Sequence, residues 1–261
     1  MPLTGLFILT IGSGQSSPSA ALVSHISRSF PAEPLPSFYL DHRLFVDTSS
    51  LLPSSNSSLR KSTSILTISH TPATTYVATT SPASQSKEKP VIAPSATLIT
   101  IPSTSADSFT QLIGTKFQPL WAHRQSLIID SGTALSFLNG EWIIRIGDLK
   151  VPPRPNQTGS NLRGMVVEVS HMEDDSDLKI QGPDDVQKDG SDIDKEDEAL
   201  LRGFLDSVTD GSGVPSITNS ESSRFLIRRT KALEKDKGTA SPPADFELAS
   251  LYLDALRGSR G

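Results

Sequence analysis

Residues 124–149 read RQSLIIDSGTALSFLNGEWIIRIGDL, and this stretch decides the fold. Three β-branched, apolar segments, 124–130, 133–138 and 142–149, are punctuated by Ser131-Gly132 and by Asn139-Gly140. Asn-Gly is a favoured pair for two-residue turns whose twist matches the strands they join. Both dipeptides therefore predict tight hairpins. A longer loop, 152–160, leads to a fourth strand-like segment at 162–169. Consecutive hairpins make an antiparallel meander, and closing such a meander into a barrel removes its exposed edges.

Working outward, residues 3–11 form an apolar, β-branched run that reads as a buried first strand. It is not read as a signal peptide: no cationic segment precedes it, and Thr4 and Gly5 interrupt it. Residues 19–30 place Leu22, Val23, Ile26 and Phe30 at helical spacing, with Pro31, Pro34 and Pro36 to end the helix. Residues 38–46 alternate, so Phe38, Leu40, His42 and Leu44 are expected on one face of a strand. Tyr39, Asp41, Arg43 and Phe45 are expected on the other. Short strands are predicted at 64–69, 74–80 and 96–101. A helix over 107–123 would carry Phe109, Leu112, Ile113, Phe117, Leu120 and Trp121, kinked at Pro119.

Residues 196–208 predict a helix with Leu200, Leu201, Phe204, Leu205 and Val208 on one stripe. Residues 224–229, basic and apolar, suit either strand or helix. A last helix, 244–256, follows Pro242-Pro243 and presents Phe246, Leu248, Leu251, Tyr252 and Ala255 or Leu256. Two Ser- and Pro-rich tracts, 49–63 and 81–95, read as flexible insertions, and the acidic run 171–195 as a disordered excursion. The expected architecture is α+β: one domain over 1–261, a mostly antiparallel β-barrel flanked by helices, with low-complexity insertions.

Composition narrows the function. The hydrophobic fraction is 36%, below the ~45–50% usual for globular chains when Gly is also counted. Much of the Ser and Thr excess lies between residues 48 and 110. A net charge of −5 argues against a general nucleic-acid binder, which concentrates a basic face. With no cysteine, disulfides and thiolate metal sites are excluded. No run approaches the ~20 apolar residues of a membrane-spanning helix.

The search for chemistry finds no constellation, so neither a cofactor nor a catalytic or metal site is expected. His25, His42, His70, His123 and His171 show no H-x-x-x-H or H-E-x-x-H spacing. Gly12-Ser13-Gly14 lacks the rest of a nucleophile elbow and of a dinucleotide fingerprint, and no phosphate-binding loop motif exists. The acidic runs lack the order of a calcium-binding EF-hand loop. Asn156-Gln157-Thr158 matches a glycosylation sequon, which matters only in the secretory pathway. Trp121 and Trp142 sit in apolar-periodic segments and read as core residues before interface anchors.

The blocks around the meander resemble the Mediator subunit 20 family. They are residues 120–127 (LWAHRQSL), 130–133 (DSGT), 142–147 (WIIRIG) and 162–169 (LRGMVVEV). The opening residues 2–7 (PLTGLF) and residues 39–44 (YLDHRL) are similar to that family's early strands, and 198–205 with the last helix to the tail of its fungal members. The blocks are collinear and cover about half the chain. The resemblance implies a helix-flanked antiparallel barrel in a nuclear, non-enzymatic subunit of the Mediator head module. It further implies pairing with Mediator subunit 18, contact with other head subunits, and coactivation of RNA polymerase II transcription through the polymerase machinery. No membrane and no sequence-specific nucleic acid enter that picture. The terminal helix is the interface candidate, through Phe246, Leu248, Leu251, Tyr252 and Leu256.

An enzymatic alternative comes from the tunnel-type metal-dependent RNA triphosphatases, whose barrel is related to this architecture. That chemistry needs alternating glutamates to hold a hard divalent cation. Here Glu168 stands alone, flanked at the alternate positions by Val166 and Ser170.

Overall fold

The computed structural model describes residues 2–12, 14–48, 60–80, 96–153, 161–172, 195–214, 216–218, 223–229 and 245–257. Most of both Ser-rich tracts, nearly all of the acidic excursion, the sequon and Pro242-Pro243 lie outside them. Thirteen elements follow in order. They are β1 (Pro2–Thr10), α1 (Ser19–Ser29), β2 (Glu33–Asp47), β3 (Ser62–Ile68), β4 (Thr74–Thr80) and β5 (Ala96–Pro102). Then come α2 (Ala106–Gln111), β6 (Trp121–Phe137), β7 (Trp142–Val151) and β8 (Asn161–Met172). The chain ends with α3 (Lys195–Thr209), β9 (Ser223–Arg229) and α4 (Phe246–Arg257).

The nine strands form an antiparallel sheet in the order β5-β4-β3-β2-β6-β7-β8-β1-β9. With the four helices this is the expected α+β class. The order is open, with β5 at one end and β9 at the other, and no pairing among the described residues closes it. The described residues thus show the antiparallel sheet of the expected barrel without its closure.

Contacts gather into two compact units: Met1–Phe38 with Ile129–Lys150 and Asn161–Gly261, and Tyr39–Ile128 with Val151–Ser160. In the first unit, helices cover both faces of the sheet. Leu3, Phe7 and Leu9 of β1 pack with Met165, Val167 and Val169 of β8 in one core. Leu22 and Ile26 of α1 and Leu201, Leu205 and Val208 of α3 cover that core, each set at helical spacing. The alternate residues of β8 face the other way, towards α4. Because both faces are covered, β8 is buried without interruption from Gly164 to Ser170, the polar Glu168 and Ser170 included. Helix α4 starts at a carboxylate cap, Asp245 Oδ1 accepting from the Leu248 N–H at 3.0 Å.

Two sequence expectations change here. Ser131-Gly132 makes no hairpin, because β6 runs unbroken through it. Gly132 serves packing instead: an added Cβ would lie 2.7 Å from the Ile146 carbonyl oxygen and 2.7 Å from Phe38 Cδ1. Glycine in a strand marks a close approach as well as a turn, and here the approach applies. At Asn139-Gly140 the turn does form, through three successive left-handed residues, Leu138 (φ 48°), Asn139 (φ 57°) and Gly140 (φ 98°). The helix expected over 107–123 ends early. After α2 comes one π-type turn, Leu112–Lys116, and from Trp121 the chain is strand. Pro119 has no N–H to donate and turns its predecessor away from helical geometry.

The second unit has its own small core of Phe45, Ile65, Val77 and Ile113, with Ile101, Phe109 and Trp121 packed against it. Phe45 thus buries the face of β2 opposite Leu40 and His42, and Leu44 is left half-buried. The Ser/Thr excess has a structural use. Thr63 and Thr79 face each other across β3 and β4 with hydroxyls 3.1 Å apart, and Thr67 and Thr75 do so at 2.8 Å. Such cross-strand hydroxyl pairs satisfy polar groups inside a ladder that would otherwise require apolar pairs.

Candidate functional site

The most unusual chemistry lies on the α4 side of the first unit, where Glu168 of β8 is wholly buried. A buried carboxylate demands partners, since its desolvation is costly without them. Arg145 of β7 supplies the charge, with Nη1 2.5 Å from Glu168 Oε1. Ser170 Oγ donates to the same oxygen at 3.1 Å. The Tyr252 hydroxyl of α4 donates to Oε2. Register brings Thr4 of β1 opposite Ser170, and their hydroxyls lie 3.2 Å apart. Burial pushes the Tyr252 phenol well above its ordinary pKa, the Glu168 charge pushes it further, and Arg145 opposes both.

Each oxygen of Glu168 is thus engaged, and a guanidinium stands where a cation would have to bind. Among the described residues no three His, Asp or Glu side chains converge on a metal-sized space. The arrangement does what a buried ion pair does: it fixes the placement of the helix that closes it. The sequence presents Glu168 as a lone carboxylate and does not show that Arg145 pairs with it. The signal was available, because both occupy strand positions flanked by apolar residues.

Strand β9 reinforces the same closure, and its alternation settles its type. Arg228 reaches Glu247 at 3.0 Å and Asp254 at 3.4 Å on α4, and Arg224 donates to the Ala255 carbonyl at 3.1 Å. On the opposite face Arg229 grips Asp197 of α3 through two bonds, 2.9 and 2.5 Å. Phe225 stacks on Phe7 with centroids 4.3 Å apart, and the Arg202 guanidinium lies 4.4 Å from the Phe225 centroid.

Four of the five expected partner-contact residues on α4 are buried by this chain itself: Leu248, Leu251, Tyr252 and Leu256. Phe246, at the start of the helix, is 41% exposed. Trp142 is buried, stacked on Phe204 at 4.1 Å, and Trp121 packs on the small core of the second unit. Trp142 is a core residue, as expected, and Trp121 is a partly buried neighbour of the small core. No helix among the described residues is long and apolar enough to cross a membrane.

No curated protein matches the chain. Among solved structures, the HpAC1 protein of Hippeastrum, described as an adenylyl cyclase candidate with a dominant triphosphatase activity, is similar at 13% identity and a TM-score of 0.37. The match covers 80% of this chain and 88% of that one. Likeness at this level carries no inference about activity here. A family model, Med20, the TATA-binding related factor (TRF) of subunit 20 of the Mediator complex, matches residues 1–257, so the chain belongs to the Mediator subunit 20 family.

Proposed function

We propose that this Mediator subunit is a non-enzymatic docking protein of the head module, acting in the nucleus as a coactivator of RNA polymerase II transcription. In this reading its antiparallel sheet and flanking helices are the surface on which Mediator subunit 18 docks. The observation that carries the non-enzymatic part is the sealed Glu168: one carboxylate, with both oxygens bonded, held under Tyr252. The family match over residues 1–257 supports the Mediator part. Helix α4 contributes directly through exposed Phe246. It contributes indirectly through Leu248, Leu251, Tyr252 and Leu256, which hold the helix in place.

Co-expression with subunit 18 followed by size-exclusion chromatography tests the pairing. A single co-eluting peak is expected, and separate elution at micromolar concentration would sink it. Phe246→Ser should weaken co-elution while circular dichroism shows the variant still folded. An assay for metal-dependent release of the γ-phosphate from triphosphate-ended RNA should show no turnover. Release that disappears in Glu168→Gln would restore the enzymatic alternative.

A further inference from the structure

In the second unit, the π-type turn and the residues after it carry apolar side chains to the surface. Leu112 and Phe117 are each 43% exposed and Leu120 44%. The backbone draws them together. Phe117 N–H donates to the Leu112 carbonyl at 3.2 Å and Leu120 N–H to the Phe117 carbonyl at 2.8 Å. Ile113 between them is buried in the small core, so the turn is anchored while its neighbours face outward. A π-type turn is a rare feature that recurs at functional sites.

Cations outnumber acids around this patch. Residues 108–129 contain Lys116 and Arg124 and no Asp or Glu, in a chain of net charge −5. The Thr48 N–H bonds the Leu120 carbonyl at 2.8 Å, and the Asp47 N–H bonds the Lys61 carbonyl at 2.9 Å. These two bonds bring exposed Lys61 and Arg60 to the same strand ends, where Asp47 is the acid. The acid at the start of α2, Asp107, is already engaged by Arg43 at 2.9 Å, and Arg43 also binds Asp41 of its own strand β2 at 2.6 Å. Three exposed apolar side chains rimmed by cations form a surface complementary to an acidic, apolar segment.

We infer that Leu112, Phe117 and Leu120, with Lys61 and Lys116, form a docking surface for an acidic amphipathic segment of a partner protein. Its apolar side chains would cover the three residues, and its carboxylates would meet the lysines. This surface is independent of the pairing proposed above and lies outside α4.

The test uses the full chain and a fluorescein-labelled peptide with Leu and Phe at i, i+3, i+4 and i+7 and Glu elsewhere. A counterpart carries Gln for every Glu. Fluorescence anisotropy should show binding of the Glu peptide that weakens as salt screens it. Phe117→Ser should lower the affinity about tenfold or more, as loss of a central anchor does. The K61E/K116E pair should lower it too, while Phe246→Ser on α4 leaves it unchanged. Circular-dichroism melting checks that each variant is folded. Equal binding of the Gln peptide, or an unchanged affinity in folded Phe117→Ser, would overturn the inference. So would a dimer of the chain alone that Phe117→Ser dissolves, because the occupant would then be a second copy.

Discussion

In the first unit Glu168 is buried under Arg145, Ser170 and Tyr252, whereas in the second unit polarity is buried as the hydroxyl pairs Thr63–Thr79 and Thr67–Thr75. The two solutions differ in where the partners come from. Thr67 and Thr75 lie eight residues apart on one hairpin, so local register suffices to join them. Glu168 and Tyr252 lie 84 residues apart, and only a docked α4 brings them together. A neutral pair is cheap to assemble and cheap to lose. A buried charge couples its neighbours, because removing Arg145 leaves an ion without compensation and removing a hydroxyl donor leaves it short of a hydrogen bond. The first unit should therefore respond to substitution cooperatively, and the second in small, separable steps.

The strongest test of that contrast is Arg145→Met. It should cost about 3–5 kcal/mol in denaturant unfolding, since it strands the Glu168 carboxylate. The double variant R145M/E168M should recover much of the loss, and additive losses would show that the pair is not coupled. Next, Gly132→Ala should cost roughly 1–3 kcal/mol, as overpacking does. Its Cβ meets a backbone oxygen of β7 that cannot rotate away. A neutral result would mean the strands separate more easily than the 2.7 Å contacts imply.

Tyr252→Phe should cost about 1–3 kcal/mol, the desolvation of an acceptor left short of one donor. It also carries a pH signature. The folded-state pKa of Tyr252 is raised above the unfolded value of about 10. Its contribution is therefore fully present below pH ~10 and is lost as pH climbs through the raised folded value. Wild type should lose stability faster than Tyr252→Phe in alkaline melts, and parallel curves would refute the assignment. The smallest effect belongs to the threonines. Thr67→Val alone should cost roughly 0.5–1.5 kcal/mol, and T67V/T75V should come back near zero, because both ends of the bond are then apolar.

Strand positions were legible wherever one periodicity dominated. Segments 74–80, 142–149 and 162–169 lie within observed strands, 64–69 overruns β3 by one residue, and α1 and α3 match their predicted stripes within a residue or two. The failures came from residues that serve two uses. Ser131-Gly132 carries a turn signal, yet glycine there makes room for the Ile146 carbonyl and the Phe38 ring. Residues 107–123 keep helical spacing to the end, but Pro119 and the packing of Trp121 on the small core override it. Residues 224–229 were ambiguous alone and became a strand only when β1 offered an edge to pair with.

By itself, the sequence determined the α+β class, the turn at Asn139-Gly140, the absence of thiol chemistry and, through collinear blocks, the Mediator subunit 20 family. All of these depend on neighbours within a few residues or on order along the chain. Tertiary structure decided the rest. It showed that the lone Glu168 is neutralised by Arg145, that four of the apolar residues on α4 are used internally, and that Leu112, Phe117 and Leu120 stay outside. Which face of a helix or strand meets water depends on elements far away in the chain, and spacing within one segment carries no record of them.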